Sequence, residues 1–535
     1  MATHAAAAAA TMRPVEHIRS RFVVLAAALV AIVAVVGVVL ALSSGGSPAD
    51  GSQVTTRDHG SSAAAHAAKP PAGTTAVTVG NAAVSRAIQP GFVGLSLEFS
   101  AIPAYAGTDA SALDPAFVQL IRNLAPGQAP VLRIGGDSTD WTWFPVAGMH
   151  QPPGVNYTLT PDRLSVIHAL ATTLGARMIL GVNLEADSSA VAAAEADALS
   201  SAVGAANVAG LELGNEPELY GSFTWGRSGI KGRPRGYDFA DFKNDLSRIG
   251  RALKGLPLAG PAIGAPEWFR YLGQFLTAEP RVRIVTLHRY PLQLCYVHPG
   301  EPNFPTIGNM LSARSSQAMA ESVASEVALS HARGVALRID EMNTVSCGTS
   351  PAVAKSFASA LWALDALFQM ARVGVDGVNM HSYPGATYEL FTFSHANGGW
   401  QALVEPEYYG MLLFAQAAPP GSRLLRVSGS GTLKTWATRA TYGTIRVVVI
   451  NDGDRARTVA LQAPGHAGAA TLERLQAPSI TAQSGVTLAG QSFGAETATG
   501  LLAGTPQTLP VTPVGREYLF RVPAASAAML TLSTG

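Results

Sequence analysis

The stretch LELGNEPELY, Leu211–Tyr220, sets a carboxylate between an asparagine and a proline straight after an apolar run. The segment VAGLELGNEP rises through Val208, Leu211 and Leu213, then breaks at Gly214 and Pro217. Glycine has no side chain to pack and proline has no N–H for the ladder, so the strand ends there. Glu216 therefore sits at the carboxyl end of a predicted buried strand, where several α/β folds keep their chemistry. A surface turn is the other reading, and the tripeptide alone does not separate the two.

The surrounding chain does. From about Gly91, short apolar segments bounded by Gly or Pro alternate with helical stretches. Eight strand candidates follow one another: 92–100, 131–136, 177–184, 208–216, 256–264, 282–290, 336–343 and 375–383. Helices are expected between them. In TPDRLSVIHALATTLG, Thr160 is an N-cap, Pro161 opens the first turn and Gly175 is the stop. The ranges 237–254, 313–333 and 352–372 also carry helical spacing. This alternation predicts an α/β fold, a (β/α)8 barrel over 91–415, with a doubly wound open sheet as the rival. After about Ser422 helical spacing vanishes and short β segments take over, such as TIRVVVIND and AAMLTLS, which predicts a β-sandwich over 416–535. The segment TAVTVGNAAVSRAI alternates in the same way, so residues 75–90 are expected to supply a strand to that sandwich.

At 535 residues the chain is too long for one small core. Charged residues make up only 14% and the net charge is +1, so no basic face calls for nucleic acid. There is no Walker-type phosphate loop and no His-Glu-x-x-His helix. Two cysteines are too few for a cysteine-based metal cluster, and no metal or other cofactor is expected. Near the start, Arg13, Arg19 and Arg21 precede an uncharged apolar run, Phe22–Leu42. Its 21 residues, at about 1.5 Å each, match a bilayer core of roughly 30 Å. A signal anchor with residues 1–21 in the cytoplasm is expected, with a cleaved signal peptide as the alternative. Either way the remainder is exported, to the outer face of the membrane or beyond. The Ser-, Gly- and Ala-rich residues 43–74 read as a flexible tether.

Two carboxylates then fall on one rim. Glu216 ends the fourth strand candidate, and Glu341, in LRIDEMN, ends the seventh. Paired carboxylates across a barrel mouth are the equipment of glycoside hydrolysis: one protonates the leaving oxygen, the other attacks the anomeric carbon or activates water. Asn215, beside the first, is placed to bond a sugar hydroxyl. Strict alternation back from Glu341 puts Ile339 and Leu337 inside the barrel and Arg338 and Asp340 outside, unless an ion pair or a bulge intervenes.

The Asn-Glu-Pro and the later Glu resemble the clan of retaining (β/α)8 glycosidases. The set LRIGGDSTDWTWF, LGNEPELY, RIDEMNTVSCG, LQAPSITAQSGVTLAGQSFG and VPAASAAMLTL resembles glycoside hydrolase family 79, the β-glucuronidase and heparanase-like family, from about Thr75 to the end. The resemblance implies Glu216 as acid/base, Glu341 as nucleophile and net retention. It also implies that Tyr290 holds the nucleophile and that Tyr388 meets a glucuronate carboxylate. A family tyrosine five residues after the nucleophile is here Ser346.

Further rim candidates are Glu98, Asp137, His288, Arg133, His381 and Tyr383, each with plain packing as the alternative. An anionic sugar asks for donors or positive charge. Lys231, Arg233 and Arg235 on the loop after the fourth strand, and Arg516 from the sandwich, are the basic candidates, against a solvated loop. Cys295 and Cys347 follow adjacent strands on one rim, and a disulfide between them is expected in an exported chain. The leading expectation is a retaining hydrolase of β-linked glucuronic acid. The alternatives are another exo-β-glycosidase such as a glucosidase or xylosidase, an endo-acting heparanase-like enzyme, and a non-catalytic carbohydrate-binding wall protein. The expected partners are a uronide carbohydrate and, through the N-terminal segment, a membrane.

Overall fold

In a computed structural model, the residues described are 73–533, save 254, 397, 466 and 467. The expected anchor, 22–42, its cytoplasmic flank and the tether through residue 72 lie outside them. Among the described residues no helix is long and apolar enough to cross a membrane.

Eight parallel strands close into a barrel: β1 Val93–Glu98, β2 Val131–Gly135, β3 Arg177–Val182, β4 Val208–Leu213, β5 Leu258–Ile263, β6 Val282–Arg289, β7 Ala336–Met342 and β8 Gly377–Ser382. All eight are the predicted segments, trimmed by a few residues. Closure comes from β8 pairing with β1, with Val378 opposite Val93 and Ser382 opposite Leu97, which excludes the open doubly wound sheet. The helices form where their signals stand. Pro161–Leu174 starts on Thr160, whose Oγ1 accepts from Arg163 N at 3.4 Å, and stops at Gly175 in the left-handed region at φ +59°.

The alternation expected for β7 is overturned by a bulge. Its pairing with β6 slips between Ile339 and Glu341, and its pairing with β8 slips between Ile339 and Met342. The extra residue turns Asp340 and Glu341 toward the same interior. Both reach Arg133 on β2, at 3.1 and 2.6 Å. Arg338 points inward too, toward the barrel bottom, where it bonds Asn379 and donates to Gly91 O at 2.8 Å. A Cβ on Gly377 would lie 1.9 Å from its guanidinium, so only glycine leaves that space. Leu337 and Ile339, predicted inside, instead face the helices. The inward-facing polar side chains share the barrel with a small apolar cluster of Ile179, Ala209 and Ala259, and the main apolar core lies between strands and helices.

The C-terminal β domain forms one continuous ladder. Thr75–Ala83 joins it, antiparallel to Arg423–Ser428 and parallel to Arg457–Gln462. Strands from both ends of the ladder, such as Ala470–Gln476 and Tyr518–Val522, share one core through Leu472 and Phe520, so the sheet folds over as a sandwich does. The helix Phe357–Val373 is buried on every side from Phe357 to Ala371, because the barrel covers one face and the β domain another. Phe368 stacks on Trp436 of the β domain at 5.3 Å, and Trp436 Nε1 donates to Asp365 Oδ1 at 3.0 Å. Trimming Phe368 to alanine would cost about 3–5 kcal/mol at such a site.

Candidate active site

The carboxyl ends of the strands open onto a cleft of about 940 Å³. Glu216 lies in it because the chain turns sharply after β4. Gly214 takes φ +83° and Glu216 itself φ +45°, a left-handed conformation that strains a residue with a Cβ. Its N–H is fixed by Ala262 O at 2.8 Å. Pro217 then starts a one-turn 3-10 helix, which is why proline follows.

Glu341 enters from the opposite side. An oxygen of Glu216, an oxygen of Glu341 and a ring nitrogen of His288 lie within 4.8 Å of one another. That separation fits the roughly 5–5.5 Å of retaining glycosidases and not the roughly 6.5–9.5 Å of inverting ones. The two carboxylates differ in surroundings. Arg133 Nη1 donates to Glu341 Oε2 at 2.6 Å and Tyr290 OH donates to Oε1 at 2.9 Å. Burial alone would raise the Glu341 carboxyl, but His381, His288 and Arg133 together hold it far below the ordinary carboxylate range. Glu341 is thus ionised, oriented and charge-compensated. Glu216 meets His288 Nδ1 at 2.9 Å, and its side chain is 22% exposed against 10% for Glu341. Burial works to lower the His288 pKa, yet Glu341 and Glu216 raise it to about 10, so the ring is a cation at neutral pH.

Asn215 is held from three sides. Its N–H donates to Asp140 Oδ2 at 3.0 Å, its Oδ1 accepts from Arg133 Nη2 at 2.7 Å, and its Nδ2 points toward Asp137 Oδ1 at 3.3 Å. Glu98 accepts from the N–H groups of Asp137 and Ser138 at 3.1 and 2.7 Å and so shapes the wall after β2. Asp137 is open to the cleft but otherwise enclosed. That enclosure and the charges of Glu98, Glu216 and Glu341 push its carboxyl above the usual range. Tyr388 OH lies 3.4 Å from Tyr290 OH and also faces the cleft. His381 bonds Ser96 Oγ at 2.9 Å and comes within 4.0 Å of Glu341.

The chain is similar to proteins of glycoside hydrolase family 79. Residues 433–529 match the model of the glycosyl hydrolase family 79 C-terminal beta domain. A beta-glucuronidase of Aspergillus niger is 24% identical over 497 residues, covering 82% of this chain and 90% of that protein. A beta-glucuronidase of Neurospora crassa is 22% identical, covering 70% and 74%. The crystal structure of a 4-O-alpha-L-rhamnosyl-beta-D-glucuronidase from Fusarium oxysporum superposes with a TM-score of 0.68 at 21% identity, over 85% of this chain and all of that one. In this chain the carboxylate pair, Asn215, His288, Tyr290, Tyr388, Glu98 and Asp137 all meet in one cleft.

The basic loop does not join them. Lys231 Nζ donates to Gly221 O at 2.9 Å, and Arg233 pairs with Asp245 at 2.9 Å and donates to Leu184 O at 2.9 Å. Neither they nor Arg235 line the cleft, and Arg516 is exposed on the β domain. Lys231 and Arg233 brace the loop; a charge pattern alone does not tell bracing from binding. Cys295 and Cys347 form a disulfide with a Cα–Cα distance of 5.5 Å. It ties the short parallel pair Leu292–Gln293 and Val345–Ser346 on the rim beside Glu341. Sequence reasoning placed Arg133 on the rim without seeing that it links Glu212, Asp340, Glu341 and Asn215. Asp140, which sets Asn215, was missed altogether. The available signal was a charged residue inside an otherwise apolar strand, LRIGG, which a buried strand tolerates only with partners.

The cluster Glu216, His288 and Glu341 is also the metal-capable group among the described residues. Arg133 already sits against Glu341 at 2.6 Å, so a fixed positive charge competes with any cation there.

Proposed function

We propose that this chain is a retaining exo-β-glucuronidase, with Glu341 as nucleophile and Glu216 as acid/base. The observation that carries the reading is the carboxylate pair, oxygens within 4.8 Å, of which one is held by Arg133 and Tyr290 and the other is open to the cleft. Glu341 attacks the anomeric carbon while Glu216 gives its proton to the departing glycosidic oxygen. A covalent glycosyl-enzyme forms with inverted configuration at the anomeric carbon. Water, deprotonated by Glu216, then displaces Glu341 and restores the configuration. Tyr290 and Arg133 stabilise the carboxylate as it leaves, and Asn215 is placed for a hydroxyl of the sugar. The glucuronidase names of the relatives support the uronide. Tyr388 is the donor on offer to its carboxylate.

A neutral-sugar β-glycosidase is the second reading. It is favoured by Glu98 and Asp137 on the cleft wall and by the withdrawal of Lys231 and Arg233. A panel of p-nitrophenyl β-glycosides with the fragment from Thr75 separates the two, and proton NMR of the first product reads its stereochemistry. Release from the glucuronide with the β-anomer formed first supports the proposal. Release from the glucoside or xyloside alone sinks the uronide, and an α-anomer formed first sinks retention.

Export is part of the same proposal. The arginines before Phe22–Leu42 and the disulfide, which persists in oxidising compartments, support it. Protection of the full chain from external protease on intact cells would overturn it.

A further inference from the structure

Beneath the nucleophile lies a charge count that does not close. Glu212 on β4, Asp340 and Glu341 on β7 and Arg133 on β2 meet inside the barrel, with Glu212, Asp340 and Arg133 sealed from solvent. Arg133 Nε is 2.6 Å from Glu212 Oε2 and 3.1 Å from Asp340 Oδ2, while its Nη1 is spent on Glu341 at 2.6 Å. His288 Nε2 on β6 is 3.6 Å from Asp340 Oδ1. With Glu216 on His288 at 2.9 Å and His381 within 4.0 Å of Glu341, four carboxyl groups thus share one guanidinium and two imidazoles. Neither oxygen of Asp340 accepts a hydrogen bond from any donor, and Glu212 Oε1 likewise has none. The Asp340 and Glu212 carboxyls nevertheless meet on one atom, Arg133 Nε, with Oδ2 at 3.1 Å and Oε2 at 2.6 Å. Two ionised carboxylates are acceptors only and have no proton to share. Burying such a pair uncompensated is expensive, and the usual outcome is one shared proton.

We propose that Asp340 is held as the neutral acid and donates its proton to Glu212, so that Arg133 faces two carboxylates, Glu212 and Glu341, and the guanidinium stays committed to the nucleophile. The inference rests on the reading of Glu341 as nucleophile and makes Asp340 a positioning residue that acts through Glu212 and Arg133. Burial, then the charge of Glu212, pushes the Asp340 carboxyl well above its ordinary range, and the Glu212 carboxyl is lowered. The charged groups facing Asp340 are Arg133, Glu212 and His288 from the neighbouring strands and Glu341 and Arg338 from its own. The bulge in β7 is the device that admits Asp340 to the interior at all.

Infrared difference spectroscopy tests the proton directly and needs no substrate. The native fragment at pH 7 should show a protonated-carboxyl C=O band that Asp340→Asn lacks. Asparagine supplies a neutral donor to Glu212 in the same place, so kcat should fall by less than about tenfold. Glu212→Gln should lose the band as well, because Asp340 then ionises against Arg133, and it serves if Asp340→Asn does not fold. A native spectrum that loses only carboxylate bands on either substitution overturns the proposal. So does a well-folded Asp340→Asn whose kcat falls beyond about tenfold, since that outcome requires a negative charge at Asp340. If no glycoside is hydrolysed by the native chain, the functional reading fails while the infrared result still stands on its own.

Discussion

Tyr290→Phe isolates one bond on the nucleophile. The hydroxyl donates to Glu341 Oε1 at 2.9 Å and reaches Tyr388 OH at 3.4 Å, and the ring stacks near Tyr388 with centroids 5.6 Å apart. Phenylalanine keeps that packing and deletes only the donor. A hydrogen bond to a charged group is worth about 1.5–3 kcal/mol, and each 1.36 kcal/mol is tenfold in rate, so about a ten- to hundredfold effect is available. Its direction follows from the role of Glu341. The donor stabilises the carboxylate, which is free before attack and is released again when water displaces it. Losing the donor makes Glu341 no worse as a nucleophile but a poorer leaving group. Hydrolysis of the covalent intermediate should therefore become limiting. Stopped-flow release of p-nitrophenol should show a burst close to one equivalent, with kcat and KM lowered together and kcat/KM changed little. Arg133 still holds the other oxygen, so folding should survive, checked by an unchanged Tm within a few degrees. A kcat within about twofold of native, or a fall in kcat/KM with no burst, would refute the placement of Tyr290 against the nucleophile.

Glu216→Gln should nearly abolish hydrolysis of alkyl glucuronides but spare activated aryl ones in the first step, with azide restoring turnover; equal loss on both would deny Glu216 the acid role. The His288 pKa, raised to about 10 in the folded chain, makes a contribution to stability that is complete below the unfolded value near 6.5 and lost as pH rises through 10. Urea midpoints of the native fragment should fall between pH 7 and 10 more steeply than those of His288→Gln, and parallel curves would contradict the imidazolium. Opening the Cys295–Cys347 bond, which spans 52 residues, should cost on the order of 4 kcal/mol by loop entropy and loosen the rim beside Glu341. Cys295→Ser with Cys347→Ser should lower Tm and raise KM, and an unchanged pair would remove the brace from the account. Phe223 and Tyr296, 46% and 67% exposed on the cleft, offer apolar faces to an aglycone, so Phe223→Ala should raise KM for a disaccharide aglycone without changing that for a small aryl one.

The local signals were in the chain. Strand length and Gly or Pro breaks located all eight barrel strands, because a buried parallel strand must be apolar and must end where the backbone turns. Thr160, Pro161 and Gly175 marked their helix for reasons of capping and φ that involve no distant residue. Even the meeting of Glu216 and Glu341 was legible, since strand ends in a barrel share one rim and both glutamates stood at such ends. Tertiary structure decided everything that depends on which way a side chain faces. The bulge in β7 put Asp340 beside Glu341 and sent Ile339 outward, and no periodicity foretells one extra residue whose register is set by β6 and β8. Arg133 became the link between Glu341 and Asn215 because closure of the barrel brings β2 within reach of β7, 208 residues apart along the chain and 2.6 Å in space. Arg233 of the loop after β4 looked like a sugar binder by charge, and its partners Asp245 and Leu184 claimed it first. Charge and spacing are written locally, but a charge acts on whatever the fold brings within a few ångströms, and only closure of the barrel fixes that company.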